Sequence, residues 1–212
     1  MEENYYVCDS FSPSLYIKLA IAGFVSTSAS LSAKKTYLLP EMQFEYAVLN
    51  FENLHISKKV NKLLNKKEFI FKKTSKIKEI IDEINKYHDD SWINKKYENM
   101  LLELASNKYE NFELFGFELL EANTNKLIAG ELGYKIGKTY TSLTGFFNRA
   151  KKYNNYGKLQ LVLLSKYLEK NSYEFWNLGH ACLQYKIDLG AKVLKREEFL
   201  KIWKESTRNC EI

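Results

Sequence analysis

Proline and cysteine are scarce in this sequence, and each scarcity narrows the classes of protein it can belong to. The two prolines are Pro13 and Pro40. Ser12 followed by Pro13 is typical of a helix start, whereas Pro40 predicts a turn between two short strands. The cysteines are odd in number and widely spaced: Cys8, Cys182 and Cys210. That spacing excludes a disulfide framework and a cysteine-based metal site, and we expect a reducing, cytoplasmic compartment.

Long apolar runs are also missing. Stretches such as LVLL at 161–164 fall far short of the roughly 18 apolar residues that a membrane-spanning helix needs. The first ten residues, MEENYYVCDS, are polar and acidic, unlike a secretory signal. With 45% hydrophobic and 27% charged residues, the composition is that of a globular protein rather than a disordered one. We therefore expect no membrane association.

Acidic residues are nearly absent from one segment. Between Lys58 and Lys78 there are nine lysines and a single acidic residue, Glu68. Such a segment attracts polyanions, nucleic acid first and anionic membrane second. Two other interpretations stay open. The lysines can simply solvate exposed faces of a lysine-rich chain, or they can form a DNA-binding helix, although no base-reading motif accompanies them.

The hydrophobic pattern predicts an α+β protein. Apolar residues at helical spacing predict helices at about 55–66, 75–88, 94–107 and 158–171. Three consecutive strands are expected within 112–147, and the turn residues between them indicate an antiparallel meander. A further strand, YEFWNLGH at 173–180, follows the last of these helices. We divide the chain into a small N-terminal α/β domain, 1–66, and a larger domain, 67–212.

Four motifs stand in a fixed order along the chain. They are LHISKKVNK at 54–62, SWIN at 91–94, FELLEANTNKLIAGELGYKIGKTYTSLTGFFNR at 117–149 and DLGAKVLKREEFL at 188–200. Over roughly 45–205 their order and spacing resemble those of the leucyl/phenylalanyl-tRNA–protein transferases. The tryptophan-rich stretch expected near the N-terminus of that family appears here as AGFVST, without tryptophan.

The resemblance implies both a fold and a reaction. The fold is a GNAT-like acyltransferase core, with an antiparallel meander, a V-shaped opening between central strands and a helix after it. The reaction moves a Leu- or Phe-like aminoacyl group from aminoacyl-tRNA to the α-amine of a protein or peptide N-terminus. No metal and no other cofactor is implied. The expected partners are aminoacyl-tRNA and an acceptor with a free N-terminus, and we expect a monomer.

The catalytic residues of the family are not matched in this sequence. Aminolysis of an ester needs an aligned neutral amine, a stabilised oxyanion and a group that takes a proton. Where the family has an Asp, one alignment places Asn177 and another places Leu178. In the second alignment His180 stands nearby and can act as a base. Thr144 occupies the position of the family's Glu, so the catalytic candidates are Asn177, His180 and Thr144, each of which can equally be structural.

The binding residues of the family are matched more closely. By resemblance, Trp92 stacks on the terminal adenosine of the donor tRNA, a contact worth about 1–3 kcal/mol. Phe146 and Phe147 line the pocket for the donor side chain, and Arg149 orients a loop or a phosphate. The aromatic residues can also be ordinary core residues. The basic positions expected to contact the acceptor stem are Lys58, Lys62 and Lys66.

Two other functions stay open. An acyl-CoA N-acetyltransferase of the same fold would need a glycine-rich loop before the helix at 158–171, where backbone amides hold the pyrophosphate. The segment NRAKKYNNYG holds a single glycine, which argues against that function. A relative that binds tRNA or protein without catalysis would explain the missing carboxylates.

Overall fold

The chain folds around two β-sheets. The computed structural model describes residues 4–32 and 35–208. Within these residues a three-stranded sheet lies in the N-terminal segment and a seven-stranded sheet forms the centre of the molecule. Cys210 lies outside the described residues, as do the first two residues of the predicted strand AKKTYLLPE. Cys8 and Cys182 carry free thiols.

The small sheet contradicts the prediction of a turn at Pro40. Its strands, in the order β1-β3-β2, are β1 (Asn4–Tyr5), β2 (Val25–Ser32) and β3 (Lys35–Met42). Pro40 lies inside β3 opposite Ser26, and its carbonyl accepts a hydrogen bond of 2.9 Å from the amide of Tyr6. The chain turns later, at residues 43–44. Helix α1 (Pro13–Ile21) does begin at Pro13, where the missing amide proton is not needed.

The large sheet contains the predicted meander and the predicted opening. Its strands are β4 (Glu45–Leu49), β5 (Phe69–Thr74), β6 (Phe112–Glu121), β7 (Leu127–Ile136), β8 (Thr139–Phe147), β9 (Phe175–His180) and β10 (Lys192–Lys195), in the order β10-β4-β9-β8-β7-β6-β5. Strands β6, β7 and β8 pair antiparallel. Strands β8 and β9 run parallel, and their register covers Thr139–Thr141 against Phe175–Asn177. Beyond those residues the two strands separate.

Helices cover both faces of the large sheet. They are α2 (Lys58–Lys66), α3 (Ile77–Tyr87), α4 (Lys95–Ser106), α5 (Tyr156–Lys170), α6 (Gln184–Asp188) and α7 (Arg196–Ser206). The four predicted helices correspond to α2, α3, α4 and α5. Helix α2 starts later than predicted, because the Ser57 hydroxyl caps it by accepting from the Val60 amide at 3.4 Å. Helix α3 begins at Ile77, two residues later than predicted, with Lys76 at its N-cap position.

Two hydrophobic clusters hold these layers together. One packs α1, α3, α4 and α7 on one face of the sheet, and the other packs α2 and α5 on the opposite face. Helix α3 buries the apolar face that its sequence pattern predicts. Its four isoleucines at helical spacing are all buried: Ile77, Ile80, Ile81 and Ile84. Burying each such side chain contributes about 1.5–3 kcal/mol.

Strand β4 joins the N-terminal segment to the large sheet, where it lies between β9 and β10. The division of the chain into 1–66 and 67–212 stays a prediction. Among the described helices, none combines the length and apolarity required to cross a membrane. In residues 4–32 and 35–208, no three His, Cys, Asp or Glu side chains cluster closely enough to hold a metal ion.

Candidate active site

The separation of β8 from β9 has a local cause on each strand. In β8 the register shifts between Ser142 and Thr144, so that an extra residue bulges out and bends the strand. In β9 the register against β4 shifts between Asn177 and His180, and within this bulge Gly179 has a φ of 72°, which suits glycine. Each strand therefore bends immediately after the last paired residues, Thr141 and Asn177. The result is an opening at the carboxyl ends of two parallel strands.

Asn177 lies at the vertex of this opening, which is the point where β8 and β9 are last paired, at Thr141 and Asn177. The side chain is 2% exposed, and its Nδ2 donates to the Thr141 Oγ1 of the neighbouring strand at 3.3 Å. Its Oδ1 accepts from the amide of Gly179 at 2.9 Å. The Asn177 side chain thus ties β9 to β8 through Thr141 and holds the bulge at Gly179. This arrangement suits alignment of the two strands and supplies no base.

The other two catalytic candidates lie beyond the vertex. His180 ends β9 with its side chain 26% exposed, and its Nε2 is 3.7 Å from Oε1 of Glu41 on β3. Its Nδ1 accepts from the amide of Cys182 at 3.4 Å. Thr144 lies on β8 after the bulge, half-buried and opposite Leu132. The structure therefore places the three predicted residues along the two diverging strands.

A buried polar cluster that the sequence patterns did not predict lies at the same opening. Glu131 of β7 is 4% exposed and accepts a short hydrogen bond from Ser142 Oγ. The same Ser142 Oγ accepts from Trp176 Nε1 at 2.8 Å. Lys186 of α6 is also buried, and its Nζ donates to the carbonyl oxygen of His180 at 2.5 Å. Two ionisable side chains are thus enclosed where the strands part.

Burial dominates the electrostatics of this cluster. Burial raises the pKa of Glu131 to about 7, although hydrogen bonding to Ser142 and the charge of Lys186 act in the opposite direction. Burial lowers the pKa of Lys186 to about 8, although the nearby acidic groups act to raise that pKa. A signal was available in the sequence, since Glu131 interrupts an apolar strand in GELG. A charge in a buried strand is costly and therefore needs a reason.

The predicted binding aromatics occupy different environments. Trp92 is half-buried, and its ring packs edge-on against Tyr97 at 5.0 Å between centroids. Phe146 is buried over Gly130, where an added Cβ would lie 2.5 Å from the Phe146 ring. Phe147 is 40% exposed. Because neighbouring strand residues point to opposite faces, Phe146 and Phe147 do not line a single pocket.

Arg149 ties the end of β8 to the end of α3. Its guanidinium lies 4.2 Å from the centre of the Tyr87 ring, and its Nη2 donates to the Tyr87 carbonyl at 3.3 Å. The Phe147 ring packs against the same tyrosine at 5.2 Å. Arg149 was expected to orient either a loop or a phosphate. Its contacts with Tyr87 are of the kind that orients a loop.

Three lysines share one face of α2. Lys58, Lys62 and Lys66 are exposed and recur every four residues, and we call them the lysine face. The Nζ of Lys66 lies 3.8 Å from the Oε2 of Glu68. A cavity of about 210 Å³ lies between α2, α5 and α6. Tyr185 is one of the residues that α6 contributes to its lining. Helix α6 thus places Tyr185 in this cavity and the next residue, Lys186, at the opening.

Comparisons with known proteins agree with this architecture. The sequence profile of the family described as leucyl/phenylalanyl-tRNA protein transferase matches residues 48–204. The chain belongs to this family. A leucyl/phenylalanyl-tRNA–protein transferase from Flavobacterium johnsoniae is 27% identical over 165 residues, which cover 74% of this chain and 71% of that protein. The predicted family and the prediction of a transferase are confirmed.

Solved structures confirm the fold. A crystal structure of FemX matches 90% of this chain and 68% of its own length, with a TM-score of 0.55 and 9% identity. The C-terminal DUF2156 domain of an Agrobacterium fabrum protein matches with a TM-score of 0.50 and 15% identity over 86% of this chain. This chain spans 63% of that structure, less than two thirds. At such identities the likeness shows the fold alone, and the predicted α+β fold is confirmed.

Proposed function

We propose that this chain transfers a leucyl- or phenylalanyl-type group from its tRNA to the α-amine of a protein or peptide N-terminus. The family match over residues 48–204 carries the proposal. The opening between β8 and β9 gives the reaction a place, because a buried polar cluster lies where the strands part. An aminoacyl ester is already activated, so alignment, oxyanion stabilisation and one proton acceptor are sufficient for transfer.

The candidate residues take different roles in this proposal. Asn177 aligns the strands at the vertex, because both polar atoms of its amide are hydrogen-bonded there. Phe146 lines the donor pocket on the α3 face, and Thr144 contributes a hydrogen bond along the opening. His180 contributes through its backbone carbonyl, which accepts from Lys186. Trp92, whose ring is half-buried, offers a face for the terminal adenosine.

The lysine face is the proposed contact for the acceptor stem of the tRNA. Exposed ammonium groups at one-turn spacing can each approach a phosphate, and such contacts supply affinity without reading sequence. On its buried side, α2 contributes Val60 to the cavity that α5 and α6 also line. Aminoacyl-tRNA and an acceptor with a free N-terminus are therefore the proposed partners, while a monomeric state and a cytoplasmic location stay predictions.

The acyl-CoA alternative is disfavoured by the first turn of α5. In such transferases this turn presents bare backbone amides to the pyrophosphate. Here the Phe147 ring covers it, since a Cβ added to Gly157 would lie 3.0 Å from that ring. The preceding segment forms a short 3-10 helix, Lys151–Tyr153, instead of a glycine-rich loop.

Transfer itself is the direct test. The chain is incubated with leucyl-tRNA or phenylalanyl-tRNA and a peptide with an N-terminal Arg or Lys, and the peptide mass is measured. A gain of one aminoacyl residue is expected, and the same peptide with an acetylated N-terminus is expected to gain nothing. Binding of tRNA without any mass gain would favour a non-catalytic relative. A gain of one acetyl group from acetyl-CoA would favour the alternative enzyme.

A further inference from the structure

The proposed transfer needs a proton acceptor, and the predicted catalytic residues do not provide a clear one. Asn177 and Thr144 are not bases. His180 is one by chemistry, yet its Nδ1 accepts from the Cys182 amide and its Nε2 faces Glu41 of the small sheet. Glu131 is a buried base at the opening that neither the family resemblance nor the proposed roles above include.

A directed chain of hydrogen bonds connects Glu131 to the opening. The indole N–H of Trp176 can only donate, so the Ser142 hydroxyl accepts from it. The single hydroxyl proton of Ser142 then points to the Glu131 carboxylate. Since a hydroxyl oxygen has two acceptor positions, one remains for a substrate N–H. Ser142 is the first β8 residue beyond the last pair with β9, and it is partly exposed.

The groups that face Glu131 come from β8 and α6. Tyr140 on β8 is buried beside it, and Tyr185 and Lys186 approach it from α6. Lys186 keeps a positive charge near the carboxylate while its Nζ is anchored on the His180 carbonyl. Burial opposes this charge and raises the pKa of Glu131 to about 7, so the carboxyl can take up and return a proton near neutral pH.

We propose that Ser142 and Glu131 form the proton relay of the transfer reaction, with Ser142 in contact with the reacting amine and Glu131 behind it. The neutral amine nitrogen bonds to the ester carbonyl carbon while its proton passes to Ser142 Oγ, whose own proton passes to Glu131. When the bond between the carbonyl carbon and the ribose oxygen breaks, the proton returns through Ser142 to that oxygen. The relay consumes no proton overall. It rests on the proposed function.

The test compares kcat across pH for the parent, Glu131→Gln and Ser142→Ala. In the parent, kcat is expected to rise with pH with a midpoint near 7, as Glu131 loses its proton. Glu131→Gln keeps the shape of the side chain and is expected to lose about 10²-fold or more in kcat, together with this rise. Ser142→Ala should lose as much, whereas Ser142→Thr, which keeps the hydroxyl, should recover most of it. The KM for aminoacyl-tRNA is expected to stay near that of the parent.

Glu118→Gln is the matched control. Glu118 is a carboxylate with 3% exposure on the adjacent strand β6, and it pairs with Lys72 at 3.3 Å away from the opening. This variant is expected to keep the pH profile of the parent. A purely structural role for Glu131 would leave the profile of Glu131→Gln with its rise near pH 7, and that result would overturn the relay. Equal activity of Ser142→Ala and Ser142→Thr would overturn it as well.

A spectroscopic readout separates the relay from the proposed function. The indole N–H resonance of Trp176 is followed from about pH 5 to about pH 9. It is expected to move with a midpoint near 7 in the parent and to stay fixed in Glu131→Gln, because the indole and the carboxyl share Ser142. If the parent transfers nothing from any charged tRNA, the proposed function fails. The indole resonance then decides the relay alone, and its failure to move in the parent would overturn it.

Discussion

Replacing Glu131 by glutamine should make the protein more stable at neutral pH. The folded state holds this carboxyl at a pKa of about 7, above its ordinary value of 4.5, because the side chain is buried. The protonated form is thus the one that folding favours. Its contribution to stability is complete below about pH 4.5 and is lost as pH rises to about 7. Glutamine resembles the protonated form at every pH.

The magnitude follows from the two pKa values. A difference of about 2.5 between them, at about 1.4 kcal/mol per pKa unit, gives roughly 3 kcal/mol at full ionisation. Of this free energy of unfolding, the parent loses about 2 kcal/mol between about pH 5 and about pH 7.5. Lys186 changes little in this window, because its pKa of about 8 lies above it and it stays protonated over most of the range.

Urea denaturation at the two pH values measures the effect. The advantage of Glu131→Gln over the parent in free energy of unfolding is expected to grow by about 2 kcal/mol from the lower pH to the higher. Glu118→Gln, which breaks the buried end of an ion pair with Lys72, is expected to be less stable than the parent instead. If the curves of Glu131→Gln and the parent stay parallel across pH, the account of Glu131 as a buried carboxyl that resists ionisation is wrong.

Four further variants test the proposed site. Changing Lys58, Lys62 and Lys66 together to Glu should weaken tRNA binding. The slope of the logarithm of the tRNA binding constant against the logarithm of the salt concentration should fall by about 0.9 for each phosphate that a lysine no longer neutralises. An unchanged slope would mean that these lysines only solvate the surface. Asn177→Ala should lower kcat by about 10²-fold, because both hydrogen bonds at the vertex disappear, while Asn177→Asp should transfer at least as well as the parent. His180→Ala should keep kcat nearly unchanged, since Lys186 binds the backbone carbonyl of that residue; an inactive variant would identify His180 as the base.

Helix α6 contributes neighbouring residues to two places in the structure. Tyr185 lines the cavity beside α2, and the adjacent Lys186 reaches the opening between the strands. With five residues, α6 is too short to be stable alone, so its position depends on these contacts.

The sequence by itself determined the local elements of this protein. The isoleucines of α3 recur at helical spacing, and packing then buries all four, because the period of a helix is fixed by its backbone. The meander was equally readable, since its strands are joined by turns in which Asn125 and Gly137 adopt positive φ angles. These features depend on residues close together in the chain.

The tertiary structure decided which polar residues meet at the opening. Pro40 looked like a turn residue and lies in a strand, because the strand pairing of β3 overrides its local preference. Ser142 faces Glu131 only through the register of β7 and β8, and the bulge that sets this register has no sequence signature of its own. Lys186 meets the opening because the chain turns at residues 181–182, after β9, and α6 then brings the Lys186 Nζ to the His180 carbonyl. The pKa of Glu131 follows from burial by all of these elements together, which no single segment encodes.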